Sequence, residues 1–147
     1  MNLQETVSVR RMEITRAGLR IVLGVVYFAA GVAHLRLPGP FVRITPDWVP
    51  MPELVVAATG VAEILGAFAL LFMPALRRAA GVALALYAVC VFPANIKHAF
   101  EGIDFGGFMQ GWAYHGPRLA FQPIFVWWAL FAGGTIDWPF RKSRSSV

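Results

Sequence analysis

Apolar and polar residues fall in long blocks along this chain rather than in alternation. Residues 79–96 run for eighteen positions without a charge and then meet Lys97 and His98. At the rise of a helix such a run covers about 27 Å, close to the hydrocarbon thickness of a bilayer. Comparable blocks recur, and the pattern predicts spans at about residues 16–35, 53–73, 79–98 and 119–136. The first is short in its strictly uncharged part, 21–35, and Arg20 completes it by snorkelling to the headgroups, while Gly24 and Gly31 offer small positions for a neighbour. Only Pro74 to Arg78 separates the second span from the third, so those two run antiparallel. The expected fold class is all-α, a four-transmembrane-helix bundle with antiparallel neighbours.

The interruptions are as informative as the blocks. Pro93 lies inside the third block, where it leaves the Val89 carbonyl without its helical donor and predicts a kink in the last turn. That carbonyl needs a partner in lipid, and the amide of Asn95 nearby needs one too. Between Arg36 and Pro52 five prolines forbid a continuous helix and predict a rigid cap, laid on the interface by Phe41, Val42, Ile44 and Trp48. Residues 101–117, rich in glycine and aromatics, read as a mobile interfacial lid. Residues 1–15 read as a cytosolic tail or a frayed start to the first helix, 16–140 as the membrane domain, and 141–147 as a basic cytosolic tail. Nothing before the first block resembles a signal-peptide cleavage site, so the first span is expected to stay.

Composition agrees: 58% of the residues are hydrophobic and 14% charged, the balance of an integral membrane protein whose first partner is the bilayer. The net charge of +5 does not point to nucleic acid, because the basic residues stand in short groups at the ends of apolar blocks. Nine lysines and arginines flank the spans on one side, from Arg10 to Arg20, at Arg77 and Arg78, and from Arg141 to Arg144. Four, namely Arg36, Arg43, Lys97 and Arg118, flank the other. That asymmetry places both termini in the cytoplasm. Cys90 is the single cysteine, which excludes an intrachain disulfide and a CxxC pair. The three histidines and Glu63 show no close-spaced ligand pair, so no metal is expected.

With this topology the costly polar groups all fall in the outer half. Glu63 lies ten residues beyond Glu53, about 15 Å along a helix, which brings an ionisable group near the middle of the membrane. It either locks helices together as a hydrogen-bonded structural residue or handles a proton or ligand. Thr59 lies one turn outward on the same face. His34 closes the first span, Asn95 and His98 close the third, and Arg118 and Gln122 open the fourth. Glu63, His34, Asn95 and Gln122 are expected to converge on a pocket roofed by residues 36–52 and 101–117, because four polar groups from four helices are cheaper together than apart. Lys97, His98 and Arg118 also read as snorkelling anchors.

Four ordered motifs carry a resemblance: G-x-x-H at Gly31 to His34, T-G-x-x-E at Thr59 to Glu63, F-P-A-N-I at Phe92 to Ile96, and R-L-x-x-Q at Arg118 to Gln122. Over roughly residues 16–135 the chain resembles the DoxX-like family of small bacterial four-helix membrane proteins. The resemblance implies a subunit of the bacterial cytoplasmic (inner) membrane, linked in some relatives to thiosulfate:quinone oxidoreduction and in others to redox or oxidative-stress complexes. Carried over by position, the family-like polar residues are His34, Glu63, Asn95, Arg118 and Gln122. Three functions then stand side by side. One is a binding module for a quinone-like molecule or lipid, acting with a partner redox subunit or as a homo-oligomer. In that first reading Glu63 exchanges the proton, His34 and Asn95 bond carbonyl oxygens, and Gln122, Arg118, Thr59 and His98 complete the ligand-binding set. Another is an enzyme shifting a proton with Glu63 and His34 as catalytic residues. The third is a structural or assembly subunit.

Overall fold

A computed structural model of the chain describes residues 3–103 and 111–140. Every regular element among them is helical: α1 (Leu3–Arg36), α2 (Pro38–Ile44), α3 (Pro52–Phe72), a 3-10 turn (Pro74–Leu76), α4 (Arg77–Cys90), α5 (Phe92–Glu101), α6 (Trp112–Ala120) and α7 (Gln122–Gly133). Three stretches, Leu3–Arg36, Pro52–Phe72 and Pro74–Glu101, are long and apolar enough to cross a membrane. Surface and interior are inverted as a membrane protein requires. Ile21, Val25, Phe28, Leu65, Phe68 and Leu86 are exposed, whereas Arg16, Glu63, His98, His115 and Gln122 are buried.

The first helix extends well beyond the expected span. It is a single rod of 34 residues, about 51 Å long, and residues 3–15 continue it rather than forming a tail. No proline or glycine occurs before Gly18, so a helix nucleated in the apolar block propagates outward without a stop. The cap is also more regular than its prolines suggested. Residues 38–44 form α2, with Pro38 and Pro40 in its first turn, where the missing N–H groups have no intrahelical partner to lose. Met51, between Pro50 and Pro52, adopts φ 48° and turns the chain into α3.

The proline kink occurs as expected: the helix ends at Cys90 and restarts at Phe92, one residue before Pro93. The fourth block, expected as one span over 119–136, is broken in the same way. Val91 (φ −85°, ψ −5°) and Phe121 (φ −75°, ψ −11°) sit at the two breaks with nearly the same backbone, each two residues before a proline. Pro123 takes away the donor for the Leu119 carbonyl, as Pro93 does for Val89. α7 then stops early, at Gly133. Gly134 takes φ 79°, Gly134 N–H donates to Phe131 O, and Thr135 N–H reaches back to Leu130 O at 2.9 Å, a glycine stop that satisfies the last turn. The tail residues 141–147 lie outside the described residues.

Around the core α1 packs against α3 and α7, and α4 packs against α3 and α7. The order of contacts shows that these pairs are antiparallel. A methyl group on Gly24 would meet the Leu71 side chain, and one on Gly31 would lie 2.6 Å from Gly60 O. In α4 and α7, Gly81 faces Gly133 while Ala88 faces Gln122. The core between them, Leu23, Tyr27, Ala67, Leu70, Leu84, Ala85, Ala129 and Ala132, is rich in alanine, which lets the helix axes come close.

Several arginines that the sequence offered as topology markers are helix caps. Arg16 is 6% exposed and donates to Phe131 O at 2.9 Å, Ile136 O at 3.1 Å and Asp137 Oδ1 at 2.6 Å. Arg20 donates to Ala132 O, and Arg77 to Leu70 O. Arg20 and Arg77 supply N–H donors to last-turn carbonyls, and Arg16 adds its own to Phe131 O beside the Gly134 N–H.

The contact of Gly81 with Gly133 leads to a stability prediction. A Cβ at Gly81 would lie 2.7 Å from Ala129 O and 2.8 Å from Gly133 Cα, both backbone atoms that cannot rotate away. Gly81→Ala should therefore cost ~1–3 kcal/mol in a reversible unfolding titration in mixed micelles. Gly18→Ala, with nothing within 4 Å of the new methyl, should be neutral or slightly stabilising. Equal behaviour of the two variants would contradict the close approach.

Candidate functional site

Where α4 gives way to α5 and α6 to α7, the helices border a cavity of about 370 Å³. Its walls are mostly apolar, including Val26, Ala30, Val56, Val91 and Phe125. Phe41, Ile44, Trp48 and Val49 from the cap form the roof. The cap is tied down on both sides. Phe41 stacks on the His34 ring with centroids 3.8 Å apart, and Lys97 Nζ donates to Thr45 O at 3.0 Å and to Asp47 Oδ1 at 2.6 Å. Lys97 is thus the strap of the roof rather than a headgroup anchor.

One wall is acidic. Glu63 projects from the middle of α3 and is 3% exposed. Gly31 makes room for it, since α1 and α3 touch backbone to backbone where Gly31 meets Gly60. His34 Nδ1 lies 2.9 Å from Glu63 Oε2 and also 2.9 Å from Ala30 O. The N–H is aligned with the Ala30 carbonyl, which leaves Oε2 beside the imidazole without an aligned donor. Thr59 donates to Val56 O on its own helix at 2.8 Å and turns its oxygen to the cavity. Tyr87, near both Glu63 and Thr59, closes this wall. The hydroxyl of Tyr27 donates to Leu84 O at 3.3 Å.

The opposite wall is a directed chain of hydrogen bonds. Arg118 Nη2 donates to Asn95 Oδ1 at 2.7 Å, Asn95 Nδ2 donates to Gln122 Oε1 at 3.2 Å, and Gln122 Nε2 donates to the main-chain oxygen of Ala88. The expected side-chain partner for the Val89 carbonyl is not found: Val89 O faces the Val91 N–H, and Gln122 donates to the neighbouring carbonyl of Ala88. The other amino group of Arg118 donates to His98 Nδ1 at 2.7 Å, so that nitrogen is the bare acceptor and the imidazole proton sits on Nε2. Every atom in the chain has a fixed role, and the amides cannot flip without losing a bond.

His34, Glu63, Thr59, Asn95, Arg118 and Gln122 all line this one cavity. His98 does not. It lies behind Arg118, edge-on to His115 at 4.7 Å, and holds the guanidinium from outside the cavity. Sequence reasoning did not assign Tyr27 and Tyr87 to the site, yet both line the cavity. Their signal was a buried hydroxyl that must be satisfied in lipid. Of the expected lid, residues 104–110 lie outside the described residues, and 101–103 and 111–117 do not line the cavity. Among the described residues no three of His, Cys, Asp and Glu gather closely enough to hold a metal ion.

Residues 23–132 match the model of a family described as a domain of unknown function, DUF8561, and the chain belongs to that family. No curated protein and no solved structure matches the chain. The matched segment begins in α1 and ends in α7, so the family's common part takes in every polar residue of the cavity.

Removing Gln122 should expose how much depends on it. Gln122→Leu leaves a buried carbonyl and the Asn95 amide without their partners, a loss of about 1–3 kcal/mol. A double-mutant cycle with Asn95→Ala in the same unfolding assay should give a coupling of at least ~0.5 kcal/mol. Strict additivity would mean that the chain is not one network.

Proposed function

We propose that this member of a family without an assigned activity is a membrane-embedded binding module for a lipophilic small molecule with a polar, quinone-like head. The observation that carries the reading is the pairing, in one largely apolar cavity, of a buried carboxylate whose Oε2 has no aligned donor with a wall of fixed amide and guanidinium groups. A volume of about 370 Å³ suits a head of one ring, within the range of small-molecule sites. The tail would leave through the lipid-exposed edge where Val26, Val55 and Cys90 line the cavity. Glu63 would hold or release a proton at Oε2, and His34 would orient against it through the Ala30 bond. The free N–H of Asn95 would donate to an oxygen of the head. A quinone bound there would supply redox chemistry that these side chains lack.

The wider setting is part of the same proposal. It is a four-helix bundle in which α6 and α7 together make the fourth crossing, placed in the bacterial inner membrane with both termini inside. There it would act as the membrane subunit of a redox-linked complex, as the DoxX-like resemblance suggests. The charge asymmetry supports the orientation, and the antiparallel contacts support the bundle. The 2.9 Å approach of His34 Nδ1 to Glu63 Oε2 favours a second reading, an enzyme that shifts a proton on its ligand.

Two experiments test these statements. Reporter fusions after Arg78 and at the C-terminus should be active only as cytoplasmic reporters, and periplasmic activity at either point would reverse the topology. Protein purified in mild detergent should carry extractable quinone or lipid, and Glu63→Gln should lose it while keeping its unfolding midpoint. Unchanged retention in that variant would leave a structural subunit as the better reading, whereas turnover of an added substrate lost in Glu63→Gln would favour the enzyme.

A further inference from the structure

Arg118 poses an electrostatic question that the amide chain does not answer. Its two described hydrogen bonds go to His98 and Asn95, both neutral acceptors, and its remaining ring contact is the face of Tyr114 at 5.9 Å. No carboxylate of the described residues comes within 4 Å of it, although Glu13, Asp47 and Asp137 all pair with basic groups elsewhere in the fold. A guanidinium stays charged in proteins and has five N–H donors, of which these bonds use two. Arg118 is half-buried at the edge of an apolar cavity, so it loses part of its hydration with no carboxylate of the described residues to replace it. The N-terminal turns of α5 and α7, which also line the cavity through Ala94, Asn95 and Gln122, add to the positive potential. Across the cavity Glu63 Oε2, buried and without an aligned donor, cannot serve as the counter-ion, because it lies against His34 rather than Arg118.

We infer that the ligand itself supplies the missing charge: the cavity takes a lipophilic acid, an amphiphile whose single anionic oxygen group is held by Arg118 while its tail lies along the apolar walls. The inference rests on the reading of the cavity as a site for a lipophile and narrows it. It also sets the ligand's direction. The anionic oxygen lies on the wall where the two broken helices begin again, and any hydroxyl or carbonyl further along the molecule faces Glu63 and Tyr87.

Matched probes test the charge separately from the cavity. Binding of decanoate, decanol and acetate at pH 8 would be measured by titration calorimetry on the full chain in phosphatidylcholine nanodiscs, with empty discs subtracted. Decanoate should bind at least tenfold more tightly than decanol, and acetate far more weakly than either. Asn95→Asp places a carboxylate on the atom that already accepts from Arg118 at 2.7 Å and should erase the preference for decanoate over decanol, read as the ratio of the two affinities within the variant. Arg118→Gln, checked for its unfolding midpoint, should do the same and serves if the aspartate variant does not fold. Equal binding of decanoate and decanol to the unaltered protein would overturn the anionic ligand and leave the lipophile site standing. Acetate binding as tightly as decanoate would replace the amphiphile with a free small anion. Binding of none of the three would remove both readings, and a preference that survives in both variants would separate it from Arg118.

Discussion

A carbonyl released by a proline inside hydrocarbon has no water to turn to, so some other part of the protein must donate to it. The cavity end of this structure is arranged around a related meeting one residue away from the carbonyl that Pro93 frees, the side-chain amide of Gln122 on the main-chain oxygen of Ala88. Each partner stands at a helix break: Ala88 in the last turn before Val91, Gln122 just after Phe121. The interaction therefore fixes the level at which the two breaks face each other. The cavity is lined at this level by Ala88 and Val91 from one break and by Gln122 and Phe125 from the other. A polar obligation in the backbone has become one wall of the cavity.

The rest of the wall follows from the direction of that bond. Because Gln122 gives its N–H to Ala88, its oxygen can only accept, which orients Asn95, and the oxygen of Asn95 can only accept in turn, which recruits a pure donor. Arg118 is that donor. The acidic wall is organised differently, by close approach rather than by a chain. Gly31 against Gly60 brings the α1 and α3 backbones together, and Glu63 and His34 are neighbours because no side chain keeps them apart. One wall is thus rigid through hydrogen bonds and the other through packing.

Much of this was legible in the sequence because lipid makes polar residues conspicuous. Glu63, Asn95 and Gln122 stood out against apolar blocks, and the kink at Pro93 followed from a missing N–H. The helix inside the cap was hidden because proline reads as a breaker, and only the position of Pro38 and Pro40 in the first turn makes them compatible with α2. The break at Phe121 was hidden because Pro123 stands near the edge of an apolar run, where a proline reads as a helix start. Arg16 was read as a charge beside the membrane, yet it caps α7. Counting charges cannot distinguish an arginine that meets headgroups from one that meets carbonyls, because that depends on a partner more than a hundred positions away, |i−j| = 115 for Phe131.

That separation along the chain matters when the protein is made. A membrane protein is delivered to the bilayer from its N-terminus onward, and the two walls of the cavity do not become complete together. His34 and Glu63 can meet as soon as the first two long helices are side by side. Ala88 has to wait for Gln122, 34 residues further along, and Asn95 waits with it. Until the last helix arrives, the third long segment holds an unanswered carbonyl and amide in an apolar setting. Between the making of α5 and that of α7 the nascent chain therefore carries polar groups whose partners in the finished fold do not yet exist.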